Sequence, residues 1–106
     1  MKISVIIPTY NRAEMVCRCV QSVLDSRYSS FEVIVVDDCS PDNTFEVIES
    51  LCKENKNICG VNLAKNFGQH GALMAGFHQG TGDILVCLDD DGQTPANEVG
   101  KLLEKI

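Results

Sequence analysis

No apolar stretch in this 106-residue chain approaches the ~18 residues of a membrane span, and Met1-Lys2 leads straight into an apolar run rather than a signal peptide. A cytoplasmic location is therefore expected. Basic residues are few, nine Lys and Arg against fifteen Asp and Glu, for a formal net charge of -6. Neutralising a nucleic-acid backbone requires clustered Lys and Arg, so no nucleic-acid partner is expected; a metal ion could instead supply positive charge for a phosphate ligand. The chain has no internal repeat, linker or low-complexity segment. It is also short, long enough for one core that buries ~65% of the unfolded surface. Six cysteines do not make a disulfide framework. Cys17 and Cys19 point in different directions on a helix, and no second pair completes a zinc set. Cys19, Cys52 and Cys87 fall on apolar faces and are expected as buried, reduced thiols.

The apolar pattern alternates between two periods. Ile3 to Ile7 is a short, nearly continuous apolar run ended by Pro8, the signature of a strand buried on both faces. From Arg12 to Ser26, Met15, Val16, Cys19, Val20, Val23 and Leu24 recur with helical period. Phe31 to Asp38 carries a second strand, and Ser40-Pro41-Asp42 a turn. Asn43 and Glu46 have capping-box spacing for a helix to about Asn55. Ile58 to Leu63 is a weaker strand. Gly68 to Gln79 reads as a helix with Leu73, Met74 and Phe77 inward, although Gly71 and Gly76 lower its propensity. Gly80-Thr81-Gly82 turns into a fourth strand, Asp83 to Leu88, and Thr94-Pro95 opens a helix through Ile106. This βαβαβαβα order predicts an α/β, Rossmann-like, four-stranded and mainly parallel sheet with flanking helices.

Ligands of open α/β sheets bind at the C-terminal ends of the strands, and three of those ends carry chemistry. Asp89-Asp90-Asp91 closes the fourth strand. Strand alternation puts Asp89 and Asp91 on one side, where two carboxylates can share a Mg2+ or Mn2+ ion whose remaining positions go to water and substrate phosphates. The same triplet could serve as an N-capping cluster before the terminal helix. The first strand ends in Pro8-Thr9-Tyr10-Asn11 rather than the glycines of a dinucleotide fold. A rigid proline and an aromatic ring can wall a nucleobase, and Asp38 can accept a base N–H. Taken singly, Tyr10 is equally a packing residue and Asp38 a turn former.

The segments Ser4 to Asn11, Val35 to Thr44 and Gly82 to Asp91 resemble glycosyltransferase family 2, whose nucleotide-diphospho-sugar-binding half has the GT-A fold. Lys65 to Gly76 and Asp89 to Pro95 are further similar to the branch that transfers sugars to polyprenyl phosphates, the dolichol-phosphate-mannose-synthase-like enzymes. Arg12 and Ala96 depart from that branch, which often has Glu and Pro at those places. The resemblance implies that Pro8, Thr9, Tyr10 and Asp38 bind the nucleoside. It implies that Asp89, Asp91 and Gln93 bind the metal and diphosphate, with Asp89 and Asp91 serving catalysis by positioning the ion. The implied donor is a nucleotide-diphosphate sugar of uridine or guanosine type, and the implied reaction is an inverting displacement. The acceptor is a polyprenyl (lipid) phosphate or, alternatively, a saccharide hydroxyl. On this reading residues 1–106 are the donor-binding part of a longer enzyme that works in the cytoplasm or at the cytoplasmic face of the membrane. The acceptor groove and general base lie downstream. Alone, the chain is expected to be inactive and prone to self-associate through the exposed edge of its fourth strand.

Other readings fit less of the chain. An aspartyl-phosphate phosphohydrolase would begin as Asp89-Asp90-Asp91-Gly92 does, but Gln93 breaks the motif. An EF-hand with Gly92 at its sixth position would put Cys87 where the first acidic ligand belongs. A nucleotide-sugar-binding module without turnover shares the same pocket. His70 and His78 suit solvated or packing roles better than acid–base work. Glu46, Glu49, Lys53 and Glu54 form a solvated helix face.

Overall fold

The computed structural model describes residues 2–25 and 30–88. Within them run β1 (Ile3–Thr9), α1 (Ala13–Leu24), β2 (Phe31–Asp37), α2 (Thr44–Glu54), β3 (Ile58–Asn62), α3 (Gly68–Gln79) and β4 (Ile84–Cys87). The strands form one parallel sheet in the order β3-β2-β1-β4. Helices cover both faces, as the alternation of strand and helix periods predicts. The helix expected after Thr94-Pro95 lies outside the described residues.

Strand alternation sorts the core into two layers. Ile3, Val5, Ile7, Phe31, Val33, Val35 and Ile58 point to one face, where they pack with Val16, Val20 and Val23 of α1 and Ile48 of α2. Ile6, Ile34 and Val36 point to the other, under Ala72 of α3. Each fully buried Val or Ile contributes about 1.5–3 kcal/mol, so the continuous apolar runs of β1 and β2 dominate stability. A strand buried on both faces has no polar alternation, which is the pattern these two show.

α3 meets the sheet differently from the expectation. Its contact is made by small residues: Ala72 and Gly76 are buried, Leu73 and Phe77 are partly buried, and Met74 is exposed. A Cβ placed on Gly76 would lie 2.4 Å from Ile6 Cγ2, so the glycine that weakens the helix permits its close approach to β1. Cys19 and Cys52 pack half-buried against the core, less deeply than expected, and Cys87 is exposed on β4, the last strand in the order among the described residues. The Asn43 side chain makes no capping bond. Asp42 Oδ1 instead accepts the Thr44 N–H at 3.0 Å and the Thr44 hydroxyl, and these bonds hold the Asp42 carboxyl below the usual carboxylate range. An Asx turn one residue earlier thus replaces the capping box.

At the N-terminal edge of the sheet, Glu32 ties three segments together. Its Oε2 accepts from Ser4 Oγ at 2.6 Å, from the Thr81 N–H at 2.7 Å and from the Thr81 hydroxyl at 3.0 Å, while Lys2 Nζ stands 3.6 Å from Oε1. Partial burial raises the Glu32 carboxyl, but these donors outweigh it and leave the group below its ordinary value. This polar lock fixes the entry into β4 at the edge opposite the chemically loaded strand ends.

Candidate nucleotide site at the C-terminal edge of the sheet

From β1 the chain winds outward to β2 and β3, then returns beneath α3 to the other side of β1. The order therefore reverses between β1 and β4, and in open α/β sheets the crevice at such a switch point receives the ligand. Pro8 sits at this crevice. β1 extends beyond Ile7 and through Pro8 to Thr9, with Pro8 in register opposite Val36 of β2. The Leu88 N–H donates to the Ile6 carbonyl at 3.0 Å, so even-numbered residues of β1 turn their backbone toward β4. The next bond of a parallel ladder would run from residue 8 to the Leu88 carbonyl, and proline has no N–H to give. Among the described residues the β1–β4 ladder goes no further than Leu88.

The two loops beside the crevice are clasped together. Asp37 is 1% exposed; its Oδ1 accepts the Ser40 N–H at 3.0 Å and the Ser40 hydroxyl at 2.5 Å. Ser40 Oγ in turn accepts the Asn11 N–H at 2.7 Å. The clasp holds two residues in the left-handed region, Asn11 at φ 56° and Cys39 at φ 62°. Asn tolerates that conformation, whereas Cys39 adopts it at a cost of about 1–2 kcal/mol that the surrounding bonds must offset. Cys39 Sγ also lies 3.8 Å from the Ala64 carbonyl.

Asp38 lies on the opposite face from Asp37. Its N–H continues the sheet by donating to the Thr9 carbonyl at 2.9 Å, and its Oδ1 accepts the Phe67 N–H at 2.7 Å. Asp38 is 5% exposed, and two aromatic residues on segments bonded to it or to its backbone are open to solvent: Tyr10, after Thr9, at 44% and Phe67 at 53%. The Lys65 ammonium lies 5.0 Å from the Phe67 ring centroid, placing a cation beside that ring.

Four of the residues singled out by sequence thus come to one edge. Pro8 and Thr9 are buried, Tyr10 is exposed beyond them, and Asp38 is buried on the neighbouring strand. Thr9 Oγ1 and Asp37 Oδ2 are buried without a hydrogen-bond partner, on paired positions of β1 and β2. Buried polar atoms are rarely left so, and a water or ligand group would complete them. Asp89, Asp91 and Gln93 lie outside the described residues. Among the described residues no group of three or more His, Cys, Asp or Glu could hold a metal ion. His70 and His78 are exposed on α3. Sequence reasoning named Asp37, Ser40, Asn11 and Phe67 within motifs or a turn but gave none of them a role in the site. The Asp37-x-x-Ser40 spacing, which suits an Asx-type turn, could have shown the first two; nothing local in the sequence foretells the bond from Phe67 to Asp38.

This arrangement offers a ring for stacking and a buried carboxylate that accepts one N–H, at the switch point of the sheet. Comparison with known proteins supplies the family. A family model described as Glycosyl transferase family 2 matches residues 4–106. Similar solved structures include S. aureus TarS 1-349, with 32% identity and a TM-score of 0.77 over 86% of this chain and 28% of that one. The same protein in complex with UDP-GlcNAc gives 34% identity and a TM-score of 0.77 over 86% of this chain and 27% of that one. The mannosyltransferase PcManGT from Pyrobaculum calidifontis, in complex with GDP-Man and Mn2+, gives 28% and 0.79 over 85% of this chain and 27% of that one. The parallel sheet with helices on both faces matches these GT-A structures. The chain spans under a third of the length of each.

Proposed function

The chain belongs to glycosyl transferase family 2, and from that premise we propose that it is the donor-binding part of an inverting, metal-dependent transferase that takes its sugar from a nucleoside diphosphate sugar. One observation carries this reading: the clasped ends of β1 and β2 bring Tyr10 and Asp38 to the same edge, beside a β1–β4 ladder that goes no further than Leu88 among the described residues. Tyr10 stacks on the base and Asp38 accepts a base N–H, while the diphosphate extends toward the residues that follow Leu88. The bound complexes with UDP-GlcNAc and with GDP-Man and Mn2+ among similar structures support a nucleotide-sugar ligand.

Asp89, Asp91 and Gln93 follow β4 in sequence, and carboxylates with an amide oxygen form a donor set suited to Mg2+ or Mn2+. When bound, such a cation stabilises negative charge on the leaving diphosphate without a proton donor. The protein's own residues do the rest: Asp38 and Tyr10 fix the nucleoside, and the Asp37–Ser40 clasp fixes the loops that carry them. For the acceptor we propose a polyprenyl phosphate, supported by the similarity of Lys65 to Gly76 and Asp89 to Pro95 to the polyprenyl-phosphate branch. Such an acceptor is already anionic and needs little general-base help. It would place the reaction at the cytoplasmic face of a membrane, although no described helix is long and apolar enough to cross one.

Titration calorimetry of the purified protein with UDP and GDP, with and without manganese, tests the donor site. Binding is expected, and Asp38→Ala is expected to weaken it by about 1–3 kcal/mol through loss of a buried acceptor. Unchanged affinity in the folded variant would overturn the assignment. Transfer from a nucleotide sugar to a polyprenyl phosphate, followed by product analysis, tests the acceptor.

A further inference from the structure

Structures similar to this chain hold nucleotides of both uridine and guanosine type, so family membership leaves the nucleoside open. The feature that discriminates is the state of Asp38. Its Oδ1 already accepts the backbone N–H of Phe67 at 2.7 Å, within a carboxylate that is almost wholly buried. We propose that this bond makes the site selective for a uridine-type donor over a guanosine-type one. The inference rests on the nucleotide-sugar reading above and adds the identity of the base.

Guanine presents two donors side by side, N1–H and N2–H, and such a pair is met best by both oxygens of a free carboxylate, as a guanidinium is. Uracil presents one, N3–H, flanked by two carbonyl acceptors. With Oδ1 committed to Phe67, Asp38 meets a ligand through Oδ2. One acceptor satisfies uracil, whereas the second donor of guanine would have to share Oδ1 with the Phe67 N–H, in the in-plane direction that a bidentate pair requires. An unpaired buried donor is the costly case, so discrimination comes from what guanine loses more than from what uracil gains. The Phe67 amide cannot turn away without moving the start of α3, which begins at Gly68. The selection is thus built into the backbone where β2 meets the β3–α3 connection.

The same geometry makes a sharper claim about Asp38→Asn. In that variant the amide oxygen can keep the Phe67 bond, which leaves the NH2 group facing the ligand. A donor there repels uracil N3–H and matches the bare N3 acceptor of cytosine. The experiment is a set of titrations of the purified protein and its Asp38→Asn variant with UDP, GDP and CDP, manganese present throughout. The wild-type protein is expected to bind UDP about tenfold or more tighter than GDP, and also tighter than CDP. The variant is expected to invert the UDP-to-CDP order. GDP binding as tight as UDP would overturn the proposal while leaving the nucleotide-sugar reading standing. So would equal weakening of UDP and CDP by Asp38→Asn, the mark of a merely structural role. Absence of binding by all three nucleotides would instead sink the nucleotide-sugar reading itself, and this inference with it.

Discussion

Ser40 binds one oxygen of Asp37 twice, through its N–H at 3.0 Å and its hydroxyl at 2.5 Å, while its hydroxyl oxygen receives the Asn11 N–H. The loops that carry Tyr10 and Asp38, the proposed base-binding residues, are therefore joined through one side chain. Ser40→Ala removes the link to Asn11 and strips a bond from an acid that is fully buried. Stability should fall by about 1–3 kcal/mol, and nucleotide affinity should fall further than a global loss explains, because Tyr10 is no longer held. Ser40→Thr, which keeps the hydroxyl, should recover most of the affinity. Denaturant melts paired with nucleotide titrations check this; if both variants bind like the wild type, the clasp has no part in positioning.

The approach of α3 to β1 gives a second test. A side chain on Gly76 would strike Ile6 and also come within 3.3 Å of Val36 Cγ2. Gly76→Val should destabilise the fold by about 1–3 kcal/mol or more, since a packed core yields little to an added methyl. Met74→Gln, on the exposed side of the same helix, should stay within about 0.5 kcal/mol. Similar midpoints for the two variants in urea unfolding would show that α3 does not rest on the sheet as described.

These contrasts show what could be read from the chain. The strands and their parallel order followed from the unbroken apolar runs of β1 and β2, because burial on both faces leaves that mark in sequence. The helical face of α1 was legible for the same reason. α3 misled in part: Leu73 and Phe77 pack against the core as expected, but Met74 is exposed and the closest contact is made by Ala72 and Gly76, whose small size leaves little mark in the sequence. The geometry of the candidate site was legible at the strand ends, where Tyr10 and Asp38 come to one edge as expected. It was illegible where it depends on backbone amides brought from afar, as with Phe67, which lies 29 positions from Asp38.

The Glu32 lock predicts a pH dependence. The folded-state value of Glu32 is depressed below the ordinary 4.5, so its contribution is fully present above that value and is lost as pH falls through the lower, folded one. Glu32→Gln should cost about 1 kcal/mol near neutrality. The gap between variant and wild type should narrow as pH drops below 4.5. Urea titrations across that range measure it, and a gap that widens on acidification would reverse the assigned sign.

Metal dependence is the next expectation. If Asp89 and Asp91 hold the ion that meets the diphosphate, a chelator should weaken UDP binding, and Asp91→Ala should reduce the response to manganese while leaving uridine itself, which lacks the diphosphate, bound as before. Calorimetry with both ligands separates the two contributions. Equal loss for uridine and UDP would mean that the substitution damaged the base site or the fold instead.

Pro8 supplies the last test, because its effect comes from a bond it cannot make. Pro8→Ala restores an N–H aimed toward β4, where the Leu88 carbonyl stands next in the ladder. Two effects on stability oppose each other: the new hydrogen bond contributes about 0.5–1.5 kcal/mol, and the greater freedom of the unfolded chain costs about 0.4–1 kcal/mol. Stability should therefore change little, and it is the wrong quantity to measure. Hydrogen exchange reads the bond directly: the amide introduced at position 8 should be protected to the same degree as those of the β1–β2 ladder. Closing the ladder by one step narrows the gap along the proposed path of the diphosphate, so nucleotide affinity should fall even though the protein is no less stable. A rapidly exchanging amide at position 8, with nucleotide binding unaltered, would show that the gap is set by something other than the missing proline N–H.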